Sequence, residues 1–154
     1  VFLNLGCGTE LLAGFVNVDC RENLNADKVI DLSSFPWPFQ DGSVEYILAQ
    51  DVIEHFTIQQ VPLFLNECAR ILNSEGRIQL RYPDFELLVK GYVMGGRNLP
   101  FINLHLMGGQ DYPENQHRCI LTASHLRQIM GTAGFRDVIF NPGTGFNKVI
   151  TARI

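Results

Sequence analysis

The residues of this chain that can do chemistry stand at the ends of short apolar runs. Leu3-Asn4-Leu5 leads into Gly6-Cys7-Gly8, Phe15-Val16-Asn17-Val18 into Asp19, Lys28-Val29-Ile30 into Asp31, and the segment 43–49 into Gln50-Asp51. A Gly-x-Gly at a strand end leaves bare backbone against which a ligand can lie, because no Cβ stands in the way. Asp19 can accept both hydroxyl protons of a ribose, or it can cap a turn before Arg21-Glu22-Asn23. Among the four histidines, His117 shares a polar stretch with Asp111 and Glu114 and is the leading candidate for a general base, since imidazole titrates near neutrality. His105, in an apolar segment, is expected in the core, and His125, at a helix start, on the surface. Asp51 and Tyr82 are the lesser base candidates. Cys7 and Cys20 flank the Gly-x-Gly and Asp19 positions, where small soft side chains pack closely.

These groups need a scaffold that brings strand ends together. In an open α/β sheet, ligands bind beyond the carboxyl ends of the strands, so Gly6, Gly8, Asp19 and Asp31 converge on one crevice if their runs are neighbouring parallel strands. The first run is almost wholly apolar, as a central strand covered on both faces must be. Val61, Leu65, Cys68 and Leu72 recur at helical spacing and predict a helix over 59–73, with Pro62 tolerated in its first turn and a turn at 73–76 closing it. Asp84 is a candidate N-cap for a helix over 85–92, and Thr122 for one over 123–133 that ends at Gly134. A short helix is expected over 101–107. Strands are expected over 77–82, 138–141 and 148–153, the last two joined by Pro142-Gly143-Thr144-Gly145. The stretch from Gly6 to Gly14 is too short for a crossover helix and holds either one helical turn near 10–13 or a compact loop. Pro36-Trp37-Pro38-Phe39 excludes a regular helix or central strand and suits a loop that plugs the core. The polar segment 108–117 is long for an internal connection and has the character of a lid.

In this order and spacing, Leu3-Asn4-Leu5-Gly6-Cys7-Gly8, Asp19, Asp31-Leu32 and Leu48-Ala49-Gln50-Asp51-Val52-Ile53-Glu54-His55 resemble the motifs of class I S-adenosylmethionine-dependent methyltransferases, and most of all their small type 11 branch. The resemblance covers nearly the whole chain. It implies a doubly wound, Rossmann-like α/β fold, with a mostly parallel seven-stranded sheet and an antiparallel C-terminal hairpin, in a single domain over 1–154. It implies S-adenosylmethionine as cofactor, held by Asn4, Gly6, Cys7, Gly8, Asp19, Cys20, Asp31, Leu32 and Gln50. In those terms Asp19 meets the ribose, Asp31 and Leu32 the adenine, Gln50 the methionine end, and Asp51 the neighbourhood of the transferred methyl. Asn4 stands where the family usually carries Asp or Glu. Trp37 falls in a loop near the adenine, while Glu54 and His55 brace the exit of their strand. The branch's association with polysaccharide biosynthesis implies a small-molecule or sugar acceptor. Two other functions remain open: a cofactor-binding but catalytically silent module of a larger protein, and a methyltransferase acting on protein or nucleic acid.

Composition narrows the alternatives. A chain of 154 residues buries roughly two thirds of the surface its unfolded form exposes. The net charge of −4 offers no general attraction to nucleic acid, which requires clustered Lys and Arg; Arg70, Arg77 and Arg81 read as a solvated face. A dinucleotide fingerprint from Gly6 would need glycine where Leu11 stands. The four cysteines form no C-x-x-C pair, so reduced thiols in the cytoplasm are expected. Asp51, Glu54 and His55 are metal-ligand types without a metal-site spacing, and no metal is expected. No apolar run reaches the length of a membrane span. Val1 already lies inside the first expected strand, which suggests residues upstream.

Overall fold

A computed structural model describes the chain from Val1 to Ile154. Seven strands form one sheet: β1 (Phe2–Leu5), β2 (Val16–Asp19), β3 (Lys28–Val29), β4 (Val44–Gln50), β5 (Leu72–Pro83), β6 (Arg136–Pro142) and β7 (Asn147–Arg153). Their order is β3-β2-β1-β4-β5-β7-β6; β1 to β5 run parallel, and β7 pairs antiparallel with both β5 and β6. The chain therefore winds outward in both directions from β1. Between β1 and β4 the order reverses, and a ligand crevice opens at such a point, beyond the strand ends. Gly6 follows β1 there, and Gln50 ends β4.

Leu3, Leu5, Ile47, Ile78 and Leu80 on the central strands are fully buried. Helix α1 (Val61–Ile71) packs with Val61, Phe64, Leu65, Cys68 and Ile71 inward; Val61, Leu65 and Cys68 belong to the expected stripe, while Leu72, its fourth member, already opens β5. Helices α2 (Phe85–Val93) and α4 (Ala123–Thr132) start at the expected caps: Asp84 accepts from Leu87 N–H at 3.0 Å and Thr122 from His125 N–H at 3.3 Å. Between them, α3 (Leu99–Met107) begins two residues earlier than expected because Asn98 caps it, accepting from Phe101 N–H at 3.1 Å. No helix is long and apolar enough to cross a membrane.

The connection from β1 to β2 is the compact loop, and two asparagines close it. Asn4 donates to the Glu10 carbonyl at 2.8 Å and to Asn17 Oδ1 at 3.0 Å, and Asn17 Oδ1 also accepts from Leu12 N–H at 2.8 Å. A carboxylate at position 4 has no proton to donate to either acceptor, which accounts for the asparagine. Strand β3 is only two residues long, so Asp31 and Leu32 lie in the turn beyond it. The expected turn at 73–76 sits inside β5. Val44 pairs with Leu72 and Tyr46 with Arg77, so the four residues between bulge outward, with Glu75 N–H bonded to Asn73 Oδ1 at 3.1 Å.

Trp37 plugs the core. It is 2% exposed, meets Phe64 edge-on with ring centroids 5.6 Å apart, and donates Nε1–H to the Leu32 carbonyl at 3.1 Å. Its own N–H is taken by Glu67 Oε1 at 2.6 Å, and Arg70 reaches from the same helix to the Trp37 and Phe39 carbonyls.

Candidate active site

The exit of β1 turns through two glycines with positive φ, Gly6 at +62° and Gly8 at +54°. At Gly6 a Cβ would lie 2.5 Å from Val52 Cγ2, so only glycine lets the two strand exits pack together. Asp19, at the end of β2, is 5% exposed. It accepts from Gly8 N–H at 2.9 Å, and from Arg21 N–H and Nε–H at 3.1 and 3.2 Å. Burial pushes its carboxyl up, but the bonds from Arg21 and Gly8 outweigh this and leave it below the ordinary carboxylate value. Asp19 is thus ionised at neutral pH with acceptor capacity to spare. Asp31 is exposed and already serves its own turn, accepting from Ser33 N–H at 2.9 Å and from the Ser33 and Ser34 hydroxyls.

At the exit of β4, Asp51 takes φ +55° and its carboxylate is held by both Nε and a terminal nitrogen of Arg81. A single helical turn, Ile53–His55, follows. It buries Glu54 to 2% exposure, with neither carboxylate oxygen hydrogen-bonded, so the side chain does not brace the loop as expected. Burial drives the Glu54 carboxyl up to about 8.

The segment 108–119 folds back over these exits. Its backbone is pinned by His117 N–H to the Met107 carbonyl at 3.0 Å and Arg118 N–H to the Glu54 carbonyl at 2.8 Å. His55 Nδ1 lies 3.1 Å from the Gln116 carbonyl and His117 Nδ1 2.8 Å from the His105 carbonyl, and the two rings meet edge-to-face 4.9 Å apart. Burial lowers the pKa of both imidazoles. Tyr112 from the same segment lies beneath the Arg21 guanidinium, 4.6 Å from the ring centre, so the lid is tied to the residue that holds Asp19.

Two adjoining cavities result. The larger, about 320 Å³, is lined by Asp19, Cys20, Asp31 and Leu32 together with Arg21, Phe56, Tyr112 and Arg118. The smaller, about 190 Å³, is lined by Asn4, Cys7, Gly8 and Gln50 with Glu10 and Arg81. Gly6 and Asp51 border both. Every residue expected at the cofactor therefore faces one cavity or the other. His117 lines neither; it reaches the larger one only through His55, which does.

The remaining candidates lie away from the cavities. His105 is half-buried, stacked on Phe101 with centroids 4.1 Å apart rather than enclosed in the core, and His125 is half-buried on α4. Tyr82 is fully buried and donates to Asp84 at 3.1 Å, while Trp37 belongs to the core. Sequence reasoning missed Arg21 and the cavity-facing role of Arg81, which it placed on a solvated surface. The position of Arg21 two residues after a strand-end carboxylate was the available signal; nothing local marked Arg81.

Residues 8–80 match the family described as "Methyltransferase domain", the type 11 group. The fold extends that match: a SAM-dependent methyltransferase from Archaeoglobus fulgidus superposes with a TM-score of 0.69 at 14% identity, over 99% of this chain and 85% of its own. The chain thus carries a methyltransferase-domain match over 8–80 and shares the fold of S-adenosylmethionine-dependent methyltransferases. Human N-acetylserotonin methyltransferase in complex with SAM gives a TM-score of 0.66 at 15% identity, over 99% of this chain and 46% of that one. The CMeT domain of the citrinin polyketide synthase gives 0.69 at 16%, over 99% and 45%. The chain thus spans less than half the length of those two. Comparison with curated protein sequences gives no match. The cavities suit S-adenosylmethionine chemically: the smaller carries both charge signs, in Glu10, Asp51 and Arg81, as a zwitterionic amino-acid end requires. The larger offers an ionised carboxylate beside apolar Leu32 and Phe56, as a ribose and a base require.

Proposed function

We propose that the chain, one domain over 1–154, is an S-adenosylmethionine-dependent methyltransferase that acts on a hydroxyl of a small molecule or sugar. The observation that carries the reading is the convergence of all nine expected cofactor residues on two cavities that meet at Gly6 and Asp51. S-adenosylmethionine, when bound, supplies a methyl group already activated by its sulfonium. Asp19 accepts the ribose hydroxyls through lone pairs that Gly8 and Arg21 leave free. Leu32 packs against the base, with Asp31 at its polar edge. Gly6, Cys7 and Gly8 present backbone to the chain's bend, and Cys20 closes the wall beside Asp19. Gln50 meets the methionine end, with Asn4 Oδ1, whose amide protons are committed to the loop. Arg81 supplies the cation for the carboxylate there. Asp51, fixed by Arg81, positions the acceptor rather than deprotonating it. His117, behind His55 in the cavity wall, is the proton acceptor in this reading: its Nδ1–H is engaged by a carbonyl, and the lowered pKa keeps its other nitrogen free to accept once the acceptor is drawn to it past His55.

The walls support this acceptor class. Arg21, Asp51, His55, Gln60, Glu114 and Arg118 give the larger cavity a polar lining suited to a hydroxyl-rich acceptor, and among the similar structures one is named for N-acetylserotonin. Four free cysteines, Cys7, Cys20, Cys68 and Cys119, support a reducing, cytoplasmic setting. The test is transfer of label from S-adenosylmethionine to a panel of glycans and small alcohols. Label on a sugar or small molecule is expected; tight cofactor binding with no transfer to any acceptor would instead support a silent module.

A further inference from the structure

Glu54 is the buried side chain whose polar atoms find no partner: both carboxylate oxygens are shut from solvent and accept no hydrogen bond. Such a group destabilises the fold when left unsatisfied, and more so when charged. A native fold that keeps one calls for an occupant that satisfies it. Its neighbours complete a set. His55 and His117 each bring a ligating nitrogen, and the three ligand atoms lie within 4.8 Å of one another. Neither imidazole hydrogen-bonds to the carboxylate, so the three converge without closing on each other.

The imidazoles are also in the right form. A carbonyl only accepts, so the contacts of His55 Nδ1 with Gln116 and of His117 Nδ1 with His105 place the proton on Nδ1 and leave the lone pair on Nε2. A ring held through Nδ1–H by the backbone, with Nε2 free, is the state of a metal-ligating histidine.

We propose that Glu54, His55 and His117 form a site for a divalent transition-metal ion of the zinc and cobalt class behind the wall of the larger cavity, where His55 borders it. Two imidazoles and one carboxylate suit such ions, whereas magnesium and calcium favour all-oxygen sets. Bonds of about 2.0–2.2 Å around a tetrahedral ion put its ligands roughly 3.4 Å apart, so the three atoms draw together from within 4.8 Å when an ion binds. Three protein ligands leave a position open for water or a substrate oxygen, and His55 faces the cavity. Sequence spacing gave no sign of the site because its third ligand, His117, arrives from the lid.

The role of the ion at the acceptor rests on the methyl-transfer reading. A hydroxyl on the open position loses its proton to solvent near neutral pH. The oxygen lone pair then forms the bond to the methyl carbon, and the carbon–sulfur pair stays on sulfur. With the ion bound, His117 is a ligand; without it, His117 takes the proton.

Titration of chelator-treated protein with Co²⁺, followed by visible absorption, tests the site without cofactor or acceptor. One equivalent should bind with the bands of nitrogen and oxygen coordination, and both Glu54→Gln and His117→Ala should weaken binding by about tenfold or more. Gln preserves the shape of Glu54, and His117 lies on the lid, so either variant with native circular dichroism decides the matter. No binding, binding unchanged in a folded variant, or intense thiolate charge-transfer absorption overturns the proposal. S-adenosylmethionine binding, measured in parallel on the chelated protein, separates the two readings: its loss would remove the cofactor site and leave the ion site to the Co²⁺ titration.

Discussion

Asp19 concentrates the chemistry of the β2 exit in one carboxylate, fixed on one side by Gly8 and on the other by Arg21. Asp19→Ala should weaken S-adenosylmethionine binding by roughly 5- to 100-fold, the loss of a buried charged acceptor worth about 1–3 kcal/mol. Calorimetry on the folded variant checks it, and unchanged affinity would remove Asp19 from the ribose site. His117→Ala should lower turnover on the order of 100-fold while cofactor affinity stays within about twofold, because a proton acceptor acts after the cofactor is seated. Wild-type turnover would exclude it from that role. At this scale the sequence was informative wherever a residue's type and its place at a strand end sufficed, as for Gly6, Asp19 and Gln50. It was silent where burial or a distant partner decides, as for the unpartnered Glu54 carboxylate and the Asp51–Arg81 pair. The geometry of those groups depends on β4 and β5 lying side by side, which no local pattern states.

The elements show why a short chain can still form the sheet. The asparagine pair on β1 and β2 stands in for a crossover helix, and Gly6 lets the exits of β1 and β4 touch. Gly6→Ala combines a positive φ with a Cβ 2.5 Å from Val52, so it should lower the melting temperature and weaken cofactor binding together. A variant as stable as the parent would contradict that packing. Glu67 on α1 ties down the Trp37 loop. The hydrogen bond from Arg70 pulls its carboxyl below the ordinary value, with burial opposing. A depressed folded pKa contributes stability that is present above the unfolded value, near 4.3, and lost as pH falls through the folded one. Glu67→Gln should therefore flatten the loss of stability below about pH 4, and cost roughly 1.5–3 kcal/mol at neutral pH. Urea denaturation across that range checks both; an unchanged acid slope would separate Glu67 from the loop. Helices α1, α2 and α4 were legible because apolar spacing and caps are local signals. The early start of β5 was not, since Asn73-Ser74-Glu75-Gly76 has turn chemistry and only pairing with Val44 makes it a bulge within a strand.

For the whole molecule, the order β3-β2-β1-β4-β5-β7-β6 puts both cavities at the reversal between β1 and β4, and the segment 108–119 walls the larger one with Tyr112, Pro113, Glu114 and Arg118. Seven strands with a terminal hairpin were expected from the order of motifs, but the role of the lid was visible only as an unusually long polar connection. With a net charge of −4, binding to RNA or DNA should be negligible at physiological salt. A filter-binding titration showing salt-sensitive affinity would reopen a nucleic-acid acceptor. The account as a whole stands on adenosine and methionine occupying the two cavities at once, across Gly6. Isothermal calorimetry of the chain with S-adenosylmethionine and S-adenosylhomocysteine measures this directly. One-to-one binding of each, with mutual competition and loss in Asp19→Ala, is the predicted result; no heat from either compound would contradict it.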